Sequence, residues 1–411
     1  MKFQTIIIGG GLSALIAGIK LSKAGRKVAI ISSGQSTLHF SSGSFELLNS
    51  INGNPVEYPL EAIKSLPATH PYSKLSDDIH SLLNEVVPLM NEAGISLVGD
   101  AKANHYRLTP LGKVKPAWLT ETGFISFPRA DQFPFKKVAL FNPVGFLDFY
   151  PQFLTLGLKD LGVEAKSYSL NSPLFEHMRK STTEMRAPNI ARSLTDEVVA
   201  GLATEIKASL GDAQAAILPA IFSSRNFDAL DAVRSQVKVP VYTVGTIPIS
   251  VPGMSMQLQL RDYFTKLGGI YMLGDSVLGG EISNGTLKYV TTVNHEDEHF
   301  YADNFILASG SFLSHGLVSN IDKVFEPIFG LDVEENVVFK ERADSDMYAP
   351  QSFMGYGVVT DSKFNVSIGG NTISNLYACG SVIGGCNPIE DGCGGGVAIL
   401  TALKVASLIV S

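Results

Sequence analysis

Cysteine is scarce, with three residues in 411, and Cys379, Cys386 and Cys393 fall within one short stretch near the C-terminus. An odd set without CxxC or a zinc-ligand spacing excludes a disulfide scaffold and argues against a metal centre. It reads as reduced, intracellular thiols. Charge is also sparse, at 17% against a typical ~25%, which excludes disorder or coiled coil as the main state. The formal net charge is −7 and no basic block occurs, which argues against nucleic acid and against a polybasic membrane patch. Long apolar runs are lacking too. Residues 5–19 resemble a signal-peptide core, but they contain a triple glycine. Residues 397–410 resemble a weak anchor, but Lys404 interrupts them and they fall short of the ~20 residues a span needs. Both are expected to be buried elements, and no segment is expected to cross a membrane.

What is present is a chain long enough for two or three domains and a sizeable core. Residues 3–8 form a β-branched run, Gly9-Gly10-Gly11 breaks it, residues 12–24 read as a helix and 27–31 as a second strand. This is a parallel strand–turn–helix–strand unit. Residues 32–44 (SSGQSTLHFSSGS) read as a loop. From about 58 to 252 prolines accumulate, with candidate helices at 77–93, 145–161, 195–210 and 227–235 and a buried strand at 215–222. This part reads as α+β material without a nucleotide signature. A helix at 254–267 follows, then strands near 270–273, 286–293 and 299–307, with Asn284-Gly285 as hairpin turn chemistry. The chain closes with a strand at 376–379, a glycine-rich loop and a helix at 394–409. The expected architecture is α/β: a Rossmann-like domain discontinuous in sequence, 1–57 with 253–411, and an inserted α+β domain, 58–252.

Four features bear on chemistry. Gly9-Gly10-Gly11-Leu12-Ser13-Ala14 is a G-x-G-x-x-A turn between strand and helix. Gly9 permits the tight turn, Gly11 lets backbone approach a phosphate, and Ala14 lets helix and strand pack closely. The free N–H groups at Leu12 and Ser13 would face the anion. The alternative is a merely structural turn. Second, the carboxylate that would accept the adenosine ribose at the end of the second strand is replaced by Ser32 and Ser33. That weakens the case for an adenosine half and leaves FMN beside FAD. Third, an apolar strand runs into Ala308-Ser309-Gly310, a turn that lets backbone pass a cofactor or simply ends a strand. Fourth, residues 375–396 (NLYACGSVIGGCNPIEDGCGGG) lead into a helix. Gly394 and Gly395 at its start either receive an anion or carbonyl or serve tight packing.

These features, with residues 6–12 (IIIGGGL), 38–45 (LHFSSGSF), 250–254 (SVPGM), 308–317 and 356–361 (YGVVTD), resemble flavoproteins of the succinate dehydrogenase/fumarate reductase flavosubunit class. More closely, the chain is similar to the B-type subunits of bacterial anaerobic glycerol-3-phosphate dehydrogenases. The resemblance implies FMN, with FAD as the alternative, and oxidation of sn-glycerol 3-phosphate to dihydroxyacetone phosphate with electrons passed to quinone. It implies two partners, a second flavoprotein subunit and a membrane-bound iron–sulfur subunit, and a cytoplasmic place on the inner face of the membrane through them. Three cysteines are too few for a four-thiolate cluster in this chain. Gly380 is followed by Ser381 where the broad class often has Asp, a second departure that leans toward FMN or an unusually bound flavin.

The resemblance places His39 near the flavin ring, as a ring contact, proton carrier or attachment point; otherwise it is a hydrogen-bonded loop histidine. Ser41, Ser42 and Gly43 follow it as candidate flavin contacts, or as loop residues satisfying their own backbone. A small phosphorylated substrate would need cations. The candidates are Lys113, Lys115, Arg129, Arg186, Arg192 and Arg225, with Arg129, in its apolar, proline-rich setting, preferred. Two competing readings remain: an FAD-dependent dehydrogenase or reductase of another small acid, and an electron-relay subunit that never meets substrate.

Overall fold

The computed structural model describes residues 1–75, 77–181, 183–222, 228–295, 298–334 and 343–411. Strand β1 (Lys2–Ile8) lies inside an eight-stranded sheet. Its residues Thr5, Ile6, Ile7 and Ile8 are all buried, as a parallel strand covered on both faces requires. On one side runs β2 (Val28–Ser32) and on the other Phe300–Leu307, both parallel to β1, with Ile8 opposite Ile31 and Leu307. Ile270–Leu273 extends the sheet beyond β2, and Asn371–Ala378 joins Phe300–Leu307 in parallel. Val277–Ser283 and Thr286–Thr292 add an antiparallel hairpin. Its turn residues Asn284 and Gly285 have φ of 52° and 68°, the left-handed pair that a two-residue hairpin turn favours.

Helix α1 (Leu12–Lys23) packs against the C-terminal helix Gly394–Val410 and against Val251–Lys266. The two apolar stretches noted in the sequence are thus buried elements of this layer: Ile6, Leu15, Ile399, Leu400 and Leu403 are fully inaccessible. No helix among the described residues is long and apolar enough to cross a membrane.

A second buried cluster, from Leu108 to Val251, surrounds a four-stranded sheet. Its order is Glu164–Leu170, Lys137–Pro143, Ala215–Pro219, Val241–Val244, and every pair is parallel. The α+β character expected here is corrected in that respect, since helices alternate with these strands as parallel connections demand. The helix expected from residue 145 starts at Pro151 instead. Gly145 sits at φ 78°, outside the helical region, while Pro151 has the fixed φ that suits a first turn. Residues 59–98 pack into the first cluster, where Tyr72, Leu82, Met90 and Ile95 are buried and helix Ile79–Glu92 lies against the C-terminal helix.

Candidate functional site

The cleft at the C-terminal ends of β1 and β2 is built by the turns that leave the parallel strands. Gly9 N–H donates to Ile31 O at 2.8 Å, and Ala308 N–H donates to Ile8 O at 2.8 Å, so three strand ends are tied together here. Gly9 has φ +112°, and a Cβ there would lie 2.2 Å from Ala308 O. At Gly10 a Cβ would strike Ser32 Oγ at 2.1 Å and the Tyr271 hydroxyl at 2.2 Å. Tyr271, from the next strand, donates its hydroxyl to Gly10 O at 3.1 Å. Gly11 differs: the nearest atom to its Cβ position is Ser36 Cβ at 3.7 Å, so its open side faces the cleft. It caps α1 without any side-chain cap bond, which leaves the helix's first N–H groups available to an anion.

The cleft encloses about 280 Å³ and brings together Gly9, Gly11, Leu12, Ser13, Ser32, Ser33, Ala308, Gly310 and Ser381 from the sequence candidates. Ser309, between two of them, also lines it, and its hydroxyl is buried without a partner. Phe40 and Leu313 form an apolar rim, 66% and 73% exposed. A dipole-bearing helix start, an unpartnered hydroxyl and an exposed apolar rim suit a ligand with a phosphate and a flat, apolar part. The turn Ala308-Ser309-Gly310 is legible in the sequence through its backbone, whereas the Ser309 hydroxyl is singled out only by its lack of a partner in the structure.

Other candidates stand behind this lining. Ala14 is fully buried beneath α1. Gly380, at φ +78°, sits where a Cβ would be 2.1 Å from Ser13 Oγ, and its N–H donates to Thr401 Oγ1 at 2.8 Å. Gly394 lines a small neighbouring cavity with Ser381 and Cys386. Gly395 packs on Phe45, with Phe45 Cβ 3.0 Å from its Cβ position, and Gly396 N–H donates to Glu46 O at 2.8 Å. At that helix start the carbonyl acceptor comes from the protein's own chain.

His39 sits in the one-turn helix Thr37–Phe40 and is 8% exposed. Its carbonyl accepts from Ser250 N–H at 2.7 Å, and its ring meets Gln257 while Nδ1 has no partner. Burial lowers its pKa, so the imidazole is neutral. Thr37 and Phe40 line the cleft while His39 does not. The following residues lead away into a buried polar cluster. Ser41 Oγ accepts from Gly43 N–H at 3.3 Å, and Gly43 has φ +79° against the Phe124 ring. Ser42 Oγ accepts from Arg107 Nη2 at 2.6 Å, and Arg107 lies 3.5 Å from Glu46.

Arg107 is the buried cation that sequence reasoning missed, at 5% exposure; a lone arginine in the strand His105–Leu108 carries no pattern. His105, two residues earlier and so on the same strand face, bonds Thr120 Oγ1 at 2.7 Å. Burial holds its pKa down at about 4. Burial pushes the Glu121 carboxyl up to about 8. Arg107 Nε, His105 Nδ1 and Glu121 Oε1 all lack partners. Glu121 also lines a second cavity of about 290 Å³, with Phe124, Arg234, Thr243 and Gln259.

The expected substrate cations are placed elsewhere. Arg129 is on the surface, 63% exposed, and pairs with Asp131 at 3.4 Å. Arg186 pairs with Asp148 at 2.5 Å, Arg192 bonds Asn189, and Lys113 is exposed. Lys115 is exposed as well, though it acts electrostatically on Glu46. Arg225 lies outside the described residues.

The FAD binding domain family matches residues 4–397. The chain is 40% identical, over 418 residues, to the B-type subunit of the anaerobic glycerol-3-phosphate dehydrogenase of Yersinia enterocolitica, covering 100% of this chain and 99% of that protein. It is 36% identical over 416 residues to the protein of the same name from Pectobacterium atrosepticum, again covering 100% and 99%. Among solved structures it is similar to 3-ketosteroid delta1-dehydrogenase from Sterolibacterium denitrificans, at 10% identity, 100% and 99% coverage and TM-score 0.43. The family description names FAD and gives no support to FMN as first choice. The preference drawn from Ser32 is corrected accordingly: a serine in place of the carboxylate weakens one acceptor without removing it.

Proposed function

The chain belongs to the FAD binding domain family and to the family of B-type subunits of anaerobic glycerol-3-phosphate dehydrogenases, and from that premise we propose that it is a flavoprotein subunit serving oxidation of sn-glycerol 3-phosphate to dihydroxyacetone phosphate. Electrons then leave through partner subunits, a second flavoprotein and a membrane-bound iron–sulfur protein, toward quinone. FAD is the proposed cofactor, and it supplies a two-electron acceptor when bound. The N–H groups of Leu12 and Ser13, reached past the bare Gly11, would hold its phosphate, with Ser309 donating from the facing turn. Ser32 and Ser33 would serve the ribose, and Ser381 the stretch toward Gly394. Residues 1–57 and 253–411 are proposed as the flavin-binding unit and 58–252 as the unit facing substrate and partners, with 59–98 of the latter packed into the core of the former. Attachment to the inner face of the membrane would come through those partners.

The buried cluster is the proposed substrate end. The chain runs from Thr37, at the cleft, through His39 to Ser42, at Arg107, so the two places are joined by one short segment. Arg107 would attract the phosphate, and neutral His39 or His105 would take the hydroxyl proton. One observation favours a second reading, the relay: Arg107 is already matched by Glu46 and Ser42.

What carries the proposal is likeness over the whole chain, 40% with a relative of that name, rather than a glycine turn alone. The test is anaerobic addition of glycerol 3-phosphate to the purified, flavin-loaded chain. Bleaching without a partner places the substrate site here, and bleaching only with the second flavoprotein subunit makes the chain a relay. A colourless protein that takes up neither FAD nor FMN overturns the proposal.

A further inference from the structure

Three groups outside the cleft meet at one point. A ring nitrogen of His70, Cys386 Sγ and Cys393 Sγ all lie within 4.8 Å of one another. They arrive separately: His70 from a turn after Pro67, Cys386 from the loop behind Ser381, Cys393 as the N-cap of the C-terminal helix. Backbone packing enforces the meeting, since a Cβ at Gly385 would lie 2.3 Å from Thr69 O. His70 is 2% exposed and Cys393 fully buried, while Cys386 is partly exposed. The two sulfurs thus lie within 4.8 Å of each other, and the nearness of Cys386 raises the pKa of the Cys393 thiol, whereas His70 Nε2 has no hydrogen-bond partner.

The position of one proton decides what this cluster does. Tyr72 N–H donates to His70 Nδ1 at 3.1 Å, so Nδ1 is the acceptor and the neutral ring carries its hydrogen on Nε2. Burial pushes this histidine down to about 4, so the ring is neutral at physiological pH. Nε2 is therefore a donor with nothing to donate to. Neither nitrogen has a lone pair left for a metal ion, whereas a thiolate beside Nε2 would satisfy it.

The geometry points to Cys386 and Cys393 as a redox-modifiable thiol pair, which closes to an internal disulfide by exchange with a small disulfide such as oxidised glutathione. Cys386 reacts first because it is the accessible one. Its thiolate, which a small shift would bring to His70 Nε2–H, attacks one sulfur of the small disulfide, whose S–S bond breaks and releases one thiolate. Cys393 then attacks the Cys386 sulfur of the mixed disulfide and expels the second small thiolate. Two protein thiols are oxidised to one disulfide, the small disulfide is reduced to two thiols, and the two thiol protons end on the leaving groups. Cys379 stays out of the exchange: it is fully buried, and burial pushes its thiol up to about 12. The pair adjoins the cleft, because Cys386 and Gly394 share a small cavity with Ser381, and Ser381 also lines the cleft.

The test uses the reduced full-length chain, equilibrated with set ratios of reduced and oxidised glutathione, alkylated, digested and weighed. The segment carrying Cys386 and Cys393 is expected to lose two hydrogens and escape alkylation, reversibly with dithiothreitol. In Cys393→Ser the reaction is expected to stop with one glutathione on Cys386. In His70→Ala the first step is expected to slow by roughly tenfold, the loss of a charge-assisted hydrogen bond. Free, alkylatable Cys386 and Cys393 in the wild-type chain at every ratio overturn the inference, whether or not the variants fold. Stoichiometric zinc that must be chelated before either sulfur reacts overturns it in favour of a metal centre. The readout is mass, so flavin content does not enter it.

Discussion

Two glycine-rich turns lead into helices in this chain, and they use glycine for opposite ends. At Gly11 the space a side chain would occupy is open, with Ser36 Cβ 3.7 Å away. At Gly396 the same space is filled, with the Tyr72 hydroxyl at 2.1 Å and Leu47 Cα at 3.1 Å. One turn leaves its helix start to a ligand; the other gives it to residues 45–47 of the same chain. Two arginines divide in the same way: Arg107 is buried beside Glu46, whereas Arg129 stands in solvent beside Asp131. Residue type and local composition do not separate the members of either pair. Their neighbours do.

The sharpest way to break this comparison is to fill both glycines. Gly396→Val should cost roughly 3 kcal/mol, because the Tyr72 ring it strikes is fully buried and tied through its hydroxyl to Leu47 O, and thermal melting or loss of soluble protein would report it. Gly11→Val should cost only about 1 kcal/mol, as a poor N-cap, yet lower flavin affinity at least about tenfold by blocking the phosphate's approach. Equal losses of melting temperature in the two variants, with flavin retained at Gly11→Val, would sink the distinction.

A smaller effect sits at Glu121, whose carboxyl titrates from 4.5 when unfolded but is pushed up to about 8 by burial in the fold. The folded protein holds this proton more tightly. The stability it contributes is complete below the lower value and is lost as pH rises through the higher. The wild-type melting temperature should therefore fall relative to Glu121→Gln between about pH 5 and 9. Parallel curves for the two proteins would show that Glu121 is not held protonated. The smallest effect belongs to Arg129→Ala: within about 0.5 kcal/mol of wild type, with flavin content and glycerol 3-phosphate response unchanged. A large loss of activity there would return Arg129 to the substrate site.

The β1–turn–α1–β2 unit was legible because its apolar runs, glycines and helix periodicity all lie within one short span. The hairpin at Asn284-Gly285 was legible for the same reason. The parallel sheet between residues 137 and 244 was not. Its outer strand Glu164–Leu170 is mostly polar and exposed, so it shows no apolar run, and Lys137–Pro143 lies between proline-bearing segments that mask it. In the candidate site, glycines and serines marked the cleft through backbone geometry, which a single motif encodes. Arg107 escaped notice because its burial is produced by Ser42 and Glu46, distant in sequence. Arg129 drew attention through apolar neighbours that in the fold turn away from it.

The pairing of β1 also governs when the protein can begin to work. One edge of β1 is covered by the next strand to be made, but the other waits for Phe300–Leu307, with Thr5 opposite Asn304. A ribosome adding about 5–20 residues per second takes roughly 15–60 s to cross that interval. For all that time the nascent chain presents an open strand edge bearing three consecutive isoleucines, a ready template for unwanted pairing. Chains released before residue 300 should therefore depend on chaperone shelter or aggregate, and the cleft cannot receive a ligand until the turn at 308–310 has been made.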